Sequence, residues 1–237
     1  MGLQSEATFC FLICRRIWSS GEGVDNRDID EVINIMGKLV HQWQVPVVGR
    51  VSGTPPDPFR VLISCILSLR TQDRTTSQAS RRLFQLADSP QAIVRLSPGQ
   101  IERAIYPVGF YRNKARTILA ICTQLIGEYS CRVPDEVKEL LKFKGVGRKT
   151  ANLVVTLGYA KPGICVDTHV HRICNRWGYV STPTPEKTEF ALRKKLPAEH
   201  WIEFNRFLVA LGQNLCRPIS PKCGLCPLFN FCERIGV

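Results

Sequence analysis

"LLKFKGVGRKTANLVV", Leu140 to Val155, sets two glycines and a lysine in front of an apolar, helix-like run. Where a glycine turn feeds a helix start, free backbone N–H groups point outward and can hold a phosphate. A nucleotide P-loop would need glycine directly before Lys-Ser/Thr and another glycine five residues earlier. Here Arg148 separates Gly147 from Lys149, Lys142 holds the earlier place, and no strand precedes. The reading that survives is a helix-hairpin-helix. "PDEVKELLKF" is its first helix, residues 144–147 its hairpin and "RKTANLVVTLG" its second helix. Gly145 and Gly147 give the turn backbone angles closed to other residues, and Val146 plugs inward. Such a hairpin grips a nucleic-acid backbone without reading sequence, which makes Gly145, Val146, Gly147 and Arg148 candidate DNA contacts. An ordinary αα-turn also carries glycine often, so the hairpin alone decides nothing.

Working outward, the flanks read as helix after helix. Asp57-Pro58, Ser89-Pro90, Ser97-Pro98 and Thr184-Pro185 each pair an N-cap residue with proline at the first helical position. Asp73 is expected to cap "RTTSQASRRLFQL" and Asn113 to cap "KARTILAICTQLIGEY". "DIDEVINIMGKLVHQW" reads as a first helix, set apart by the irregular connector "VPVVGRVSGTPPDP". No stretch alternates with period two between hairpin turns, so the expectation is an all-α protein of about ten helices.

The chain has 237 residues, a net charge of +12 and 44% hydrophobic residues. That composition argues against global disorder, and the charge points to a polyanionic partner. Eleven cysteines suit a reducing compartment better than a paired disulfide framework, and Cys65 and Cys122 lie in apolar runs as small buried hydrophobes. "MGLQSEATFCFLICRRIW" has a short apolar run whose arginines follow rather than precede it, which is poor for a signal peptide. Residues 1–24 are expected to form a loosely ordered extension, and no segment approaches a membrane span.

Two further features carry chemistry. Asp167, in "ICVDTHVHRICNRWG", stands eighteen residues after Lys149 as the natural cap of a helix running through Arg176. Cys216, Cys223, Cys226 and Cys232 close the chain with the spacing C-x6-C-x2-C-x5-C. Four thiolates this close can enclose one inorganic centre. Structural zinc usually takes two tight pairs, whereas an iron–sulfur cluster accepts varied spacing, so the spacing leans toward iron–sulfur with zinc still open.

Together, "FKGVGRKTAN", the Lys149-to-Asp167 spacing, "VDTHVHR" and the four-cysteine tail resemble the endonuclease III family of helix-hairpin-helix DNA glycosylases. The resemblance runs from about Asp28 to Glu233. It implies two helical lobes flanking a DNA-binding cleft. A six-helix bundle, residues 51–161, ends in the hairpin. A second lobe joins residues 25–50 to 162–237 and holds a [4Fe-4S] cluster on Cys216, Cys223, Cys226 and Cys232. It further implies a monomer that flips a damaged base from double-stranded DNA, with no membrane partner. Lys149 would attack the sugar to form a Schiff base, Asp167 would assist, and β-elimination would cut 3′ to the abasic site. Oxidised pyrimidines are the implied substrates. The compartment would be the cytoplasm in a prokaryote, and the nucleus or mitochondrion in a eukaryote. Lys149 sits at a helix start, which lowers its pKa, while Asp167 raises it, so the two influences oppose.

Departures from the family pattern mark this chain. Arg70, in "ILSLRTQD", stands where glutamine is common and is expected to fill the hole left by the flipped base. Phe110, in "VGFYRNKA", stands where a leucine wedge is common. His169, inside "VDTHVHR", is a further implied DNA contact. Two rival readings accompany the main one: a mismatch-specific thymine or uracil glycosylase of the same superfamily, and a non-enzymatic iron–sulfur DNA-binding module.

Overall fold

A computed structural model of the chain describes residues 24–41, 43 and 56–237. The expectations for residues 1–23 and for most of the connector before Pro56 fall outside these. Among the described residues there are eleven α-helices and no strand, as the capping signals led us to expect.

The first core belongs to one run of chain. Helix α1 (Ile29–Val40) stands apart from it, and the run begins with α2 (Pro58–Ser68). There follow α3 (Asp73–Leu86), α4 (Pro90–Ile93), α5 (Pro98–Ile105), α6 (Tyr111–Glu128), α7 (Val137–Leu140) and α8 (Arg148–Leu153). A π turn, Val154–Gly158, continues α8. Their inward faces, from Phe59 to Val155, form one hydrophobic cluster around Leu62, Ile66, Leu83, Ile118 and Phe143. Helix α2 is its axle, packed on α3, α6, α8 and the π turn. It is apolar nearly all round because every side meets a neighbour.

The second core draws on both flanks of that run. Helix α1 supplies Ile29, Val32 and Met36. The later helices α9 (Thr168–Arg176), α10 (Pro185–Lys195) and α11 (Trp201–Asn214) supply Ile173, Leu192, Phe204 and Leu208. Leu228, from the cysteine-bearing tail, is fully buried in the same cluster.

The caps act as the sequence indicates at Asp57, Ser89, Ser97 and Thr184, and Ser97 forms a full capping box with Gln100. Two starts differ. Gln72, not Asp73, precedes α3, and Asp73 makes no capping bond there. Helix α6 starts at Tyr111 because Phe110 takes a left-handed conformation (φ 58°) that ends the preceding loop; Asn113 lies inside the first turn. The first helix of the hairpin is also shorter than "PDEVKELLKF" suggests, a single turn over Val137–Leu140.

Candidate active site and metal centre

The hairpin between α7 and α8 uses its residues unequally. Gly145 has φ 88°, and a Cβ there would fall 2.9 Å from the Thr117 methyl, so only glycine fits. Gly147 has φ −96° and open space around it. Val146 is buried against the first core, as its apolar side chain demands.

Beyond the hairpin, Lys149 occupies the first turn of α8. Its Nζ lies 3.3 Å from Asp167 Oδ2, reaching from the helix after the hairpin to the start of α9. Asp167 Oδ1 accepts from the backbone N–H groups of His169 (2.8 Å) and Val170 (2.9 Å), so one oxygen caps the helix and the other faces the amine. The lysine side chain is 45% exposed and the aspartate 7%. The pair borders a cleft of about 290 Å³, also lined by Ser68, Thr71, Cys165 and His169. Burial is the largest single influence and pulls the amine's pKa down, but the opposing influences, led by the Asp167 carboxylate, together exceed it and the net direction is upward. Cys65 and Cys165, buried nearby, are neutral thiols at physiological pH because burial raises both pKa values, that of Cys65 to about 12. At rest the Lys149 side chain is therefore an ammonium facing Asp167.

His169 is held neutral chiefly by burial, with Arg172 and Lys149 acting the same way against Asp167. Its Nδ1 lies 3.2 Å from Arg172 Nη2. A guanidinium only donates, so Nδ1 accepts and Nε2 carries the proton. His169, one of the residues that line the cleft, thus carries a neutral N–H at Nε2.

Arg148 is engaged within the protein. It makes a bidentate pair with Glu189 of α10 (2.8 and 2.7 Å) and stacks over Phe190. Glu189 also accepts from Arg193 (3.0 Å), and Arg193 donates to Asn152 Oδ1 (2.9 Å). This network ties the Lys149 helix to α10. Arg70 and Phe110 stand at neighbouring loop tips, both exposed, with the guanidinium 5.9 Å from the ring centre.

None of the four terminal cysteines is in a disulfide. They line one small cavity of about 30 Å³, walled otherwise by Trp177, Leu211 and Phe229. Among the described residues no three His, Cys, Asp or Glu side chains stand together as a single-ion site. All four thiols face this one space, as ligands of a single shared inorganic centre must. Donors surround the sulfurs: Arg176 Nη1 lies 3.5 Å from Cys216 Sγ, and the Arg234 N–H lies 3.3 Å from Cys232 Sγ. Donors of this kind stabilise the extra charge of thiolates bound to a cluster. Arg176, 8% exposed, also grips the carbonyls of Arg217 (2.6 Å) and Pro218 (2.9 Å). Arg172 donates to the Cys216 carbonyl (2.7 Å). Helix α9 thus carries Asp167 at one end and clamps the cysteine loop at the other. The sequence reading missed Arg172, Arg176 and Glu189; the spacings Arg172/Arg176 and Glu189/Arg193, each four residues, were the available signal.

Comparison with known proteins agrees with this geometry. Residues 63–198 match the model of the HhH-GPD superfamily base excision DNA repair proteins. Residues 216–232 match that of the iron-sulfur binding domain of endonuclease III. The endonuclease III of Thermotoga maritima is 49% identical over 177 residues, covering 75% of this chain and 83% of its own. An endonuclease III-like protein 1 of Gallus gallus is 40% identical over 186 residues, covering 76% and 66%. A solved structure of a trapped endonuclease III–DNA covalent intermediate, the estranged-adenine complex, superposes with a TM-score of 0.78 at 32% identity, covering 89% of this chain and 97% of its own. On these grounds the chain belongs to the endonuclease III family, a DNA-binding base-excision glycosylase/AP lyase that carries a [4Fe-4S] cluster.

Proposed function

We propose that this enzyme removes oxidised pyrimidines from double-stranded DNA as a monomer, with Lys149 as nucleophile and Asp167 as its carboxylate partner. The observation that carries the assignment is the 3.3 Å contact between them at the edge of the cleft. Cys216, Cys223, Cys226 and Cys232 are the ligands of the cluster, which supplies structural order to the tail. The two cores correspond to two lobes, residues 51–161 and residues 25–50 with 162–237. Gly145, Val146 and Gly147 hold the DNA backbone, and the outward edge of the Arg148 guanidinium adds charge there. Arg70 and Phe110 enter the duplex where the base leaves, and His169 donates from the cleft wall. No helix among the described residues is long and apolar enough to cross a membrane. The enzyme works where DNA is: the cytoplasm of a prokaryote, or the nucleus or mitochondrion of a eukaryote.

Flipping the base out costs a few kcal/mol, least for a poorly stacked one. The ammonium of Lys149 first loses its proton to solvent on its exposed side. The amine then attacks C1′, a C–N bond forms, and the glycosidic bond breaks with its electron pair leaving on the base. Asp167 faces the positive charge that builds on the sugar. Ring opening gives a protonated imine; loss of a C2′ proton then expels the 3′ phosphate and cuts the strand.

Borohydride reduction on abasic duplex DNA should trap wild-type protein covalently, and Lys149→Gln should lose the adduct altogether. An undiminished adduct in that variant would overturn the nucleophile. A panel of thymine glycol, 5-hydroxycytosine, uracil, G·T and A·8-oxoguanine duplexes tests the substrate class. Cleavage confined to G·T would favour the mismatch reading.

A further inference from the structure

Beneath the Arg70 and Phe110 tips lies a lysine that the catalytic scheme does not use. Lys114, in the first turn of α6, is only 7% exposed. Its ammonium donates to the carbonyls of Leu67 (2.8 Å) and Leu69 (2.5 Å) and to Thr71 Oγ1 (3.1 Å). Three donors meet three acceptors, all neutral oxygens. The two carbonyls belong to the end of α2, where a helix leaves its last acceptors unpaired. Burying an ammonium among neutral partners is expensive; burial pulls its pKa down to about 8. A glycine or water could cap the helix end with no buried charge, so the lysine calls for another role.

The surrounding bonds indicate one. Thr71 Oγ1 accepts from the Gly109 N–H (3.2 Å) as well as from Lys114, joining the loop after α2 to the loop before α6. The loops press so close that a Cβ on Gly109 would lie 2.7 Å from the Arg70 carbonyl oxygen. Arg70 and Phe110 both hold left-handed backbone angles, φ 52° and 58°, which side-chain-bearing residues keep only when their surroundings enforce them. Lys114 sits at the base of both.

We propose that Lys114 is a positioning residue that locks the Arg70 and Phe110 loops into one rigid, two-pronged wedge. It thereby sets how readily the enzyme opens a damaged pair in duplex DNA. The proposal rests on the reading that those two residues enter the duplex. Without the ammonium, the three acceptors each lose a donor, and the loops are free to relax from the strained angles that aim both side chains.

The test compares Lys114→Met with wild type on two substrates. Single-turnover excision from a thymine glycol duplex should fall about tenfold or more, the scale that misplacement of a working group produces. The fluorescence rise of 2-aminopurine placed opposite the lesion should shrink alongside it. Borohydride trapping on abasic single-stranded DNA, which has no pair to open, should stay within about twofold of wild type, since the chemical groups are untouched. A parallel fall on both substrates, or an unchanged duplex rate and fluorescence, would overturn the proposal. If Lys114→Met does not fold, Lys114→Gln decides: its shorter amide cannot reach all three acceptors and should lower only the duplex rate, and an unchanged rate counts against us. Arg70→Ala and Phe110→Ala separate the layers. If neither alters duplex excision, the wedge reading itself falls. If both do while Lys114→Met does not, only the role of Lys114 falls.

Discussion

Phe59 through Val155 bury themselves within one uninterrupted run, whereas the second core takes Ile29, Val32 and Met36 from before that run and residues from Ile164 to Leu228 from after it. In the first core, helices close in sequence pack on each other around α2. In the second, α1 must find α11 across most of the chain. Closing so long a loop costs entropy before any burial repays it. A core assembled that way profits from a fastener, and the four-cysteine loop lies directly on it: Cys216, Cys226, Cys232 and Phe231 pack against the second cluster. Among the described residues the first core has no comparable device.

The hardest test of this contrast removes the fastener. Cys226→Ala should abolish the broad visible absorbance of the cluster and split thermal unfolding into two steps. The earlier step should fall more than about 10 °C below the wild-type transition, as expected when several kcal/mol leave a domain of this size. Limited proteolysis should then degrade both ends and spare a fragment spanning roughly α2 to the π turn, the elements of the first core. A single unchanged transition would show that the two cores are one cooperative unit.

A smaller break targets the bolt between the halves. Glu189→Ala leaves Arg148 and Arg193 facing each other without their shared carboxylate, whose side chain is 3% exposed. Loss of a buried partner of this kind costs about 3 kcal/mol, to be read from urea denaturation. Burial raises the Glu189 pKa, but bonds from Arg148, Arg193 and Asn152 lower it more, so the net direction is downward. A depressed carboxylate stabilises the fold above its ordinary titration range and loses that contribution as pH falls through its folded value. The gap between wild type and Glu189→Ala should therefore narrow on acidification; a gap that widens would contradict the pairing.

Legibility in the sequence follows the same division. Features that act locally were readable: the caps at Asp57, Ser97 and Thr184, the positive-φ position of Gly145, and the clustered cysteines. Features that depend on distant partners were not. Nothing in "TANLVVTLG" distinguishes the π turn at Val154–Gly158 from ordinary helix. Neither Lys114, whose acceptors lie 43 to 47 residues away, nor Glu189, 41 residues from Arg148, announces its partners. Asn113 misled because a good capping residue close to a helix start outweighed a left-handed Phe110, which no propensity anticipates.

The proposed catalytic pair straddles both halves, Lys149 from the first and Asp167 from the second, and the mildest substitution sharpens that point. Asp167→Asn keeps an oxygen for the cap of α9, and asparagine caps about as well as aspartate, so stability should change little. What goes is the charge that holds the Lys149 pKa above its ordinary value. With the carboxylate removed, burial is the stronger influence and the amine's pKa should fall. A lower pKa leaves more neutral amine at a given pH, so the rising limb of Schiff-base formation on preformed abasic DNA should move to more acidic pH. The maximal rate of base excision should fall meanwhile, because nothing then faces the charge developing on the sugar. If the limb stays in place or moves to more alkaline pH, Asp167 does not control the amine, and the 3.3 Å contact is no more than a bridge between two lobes.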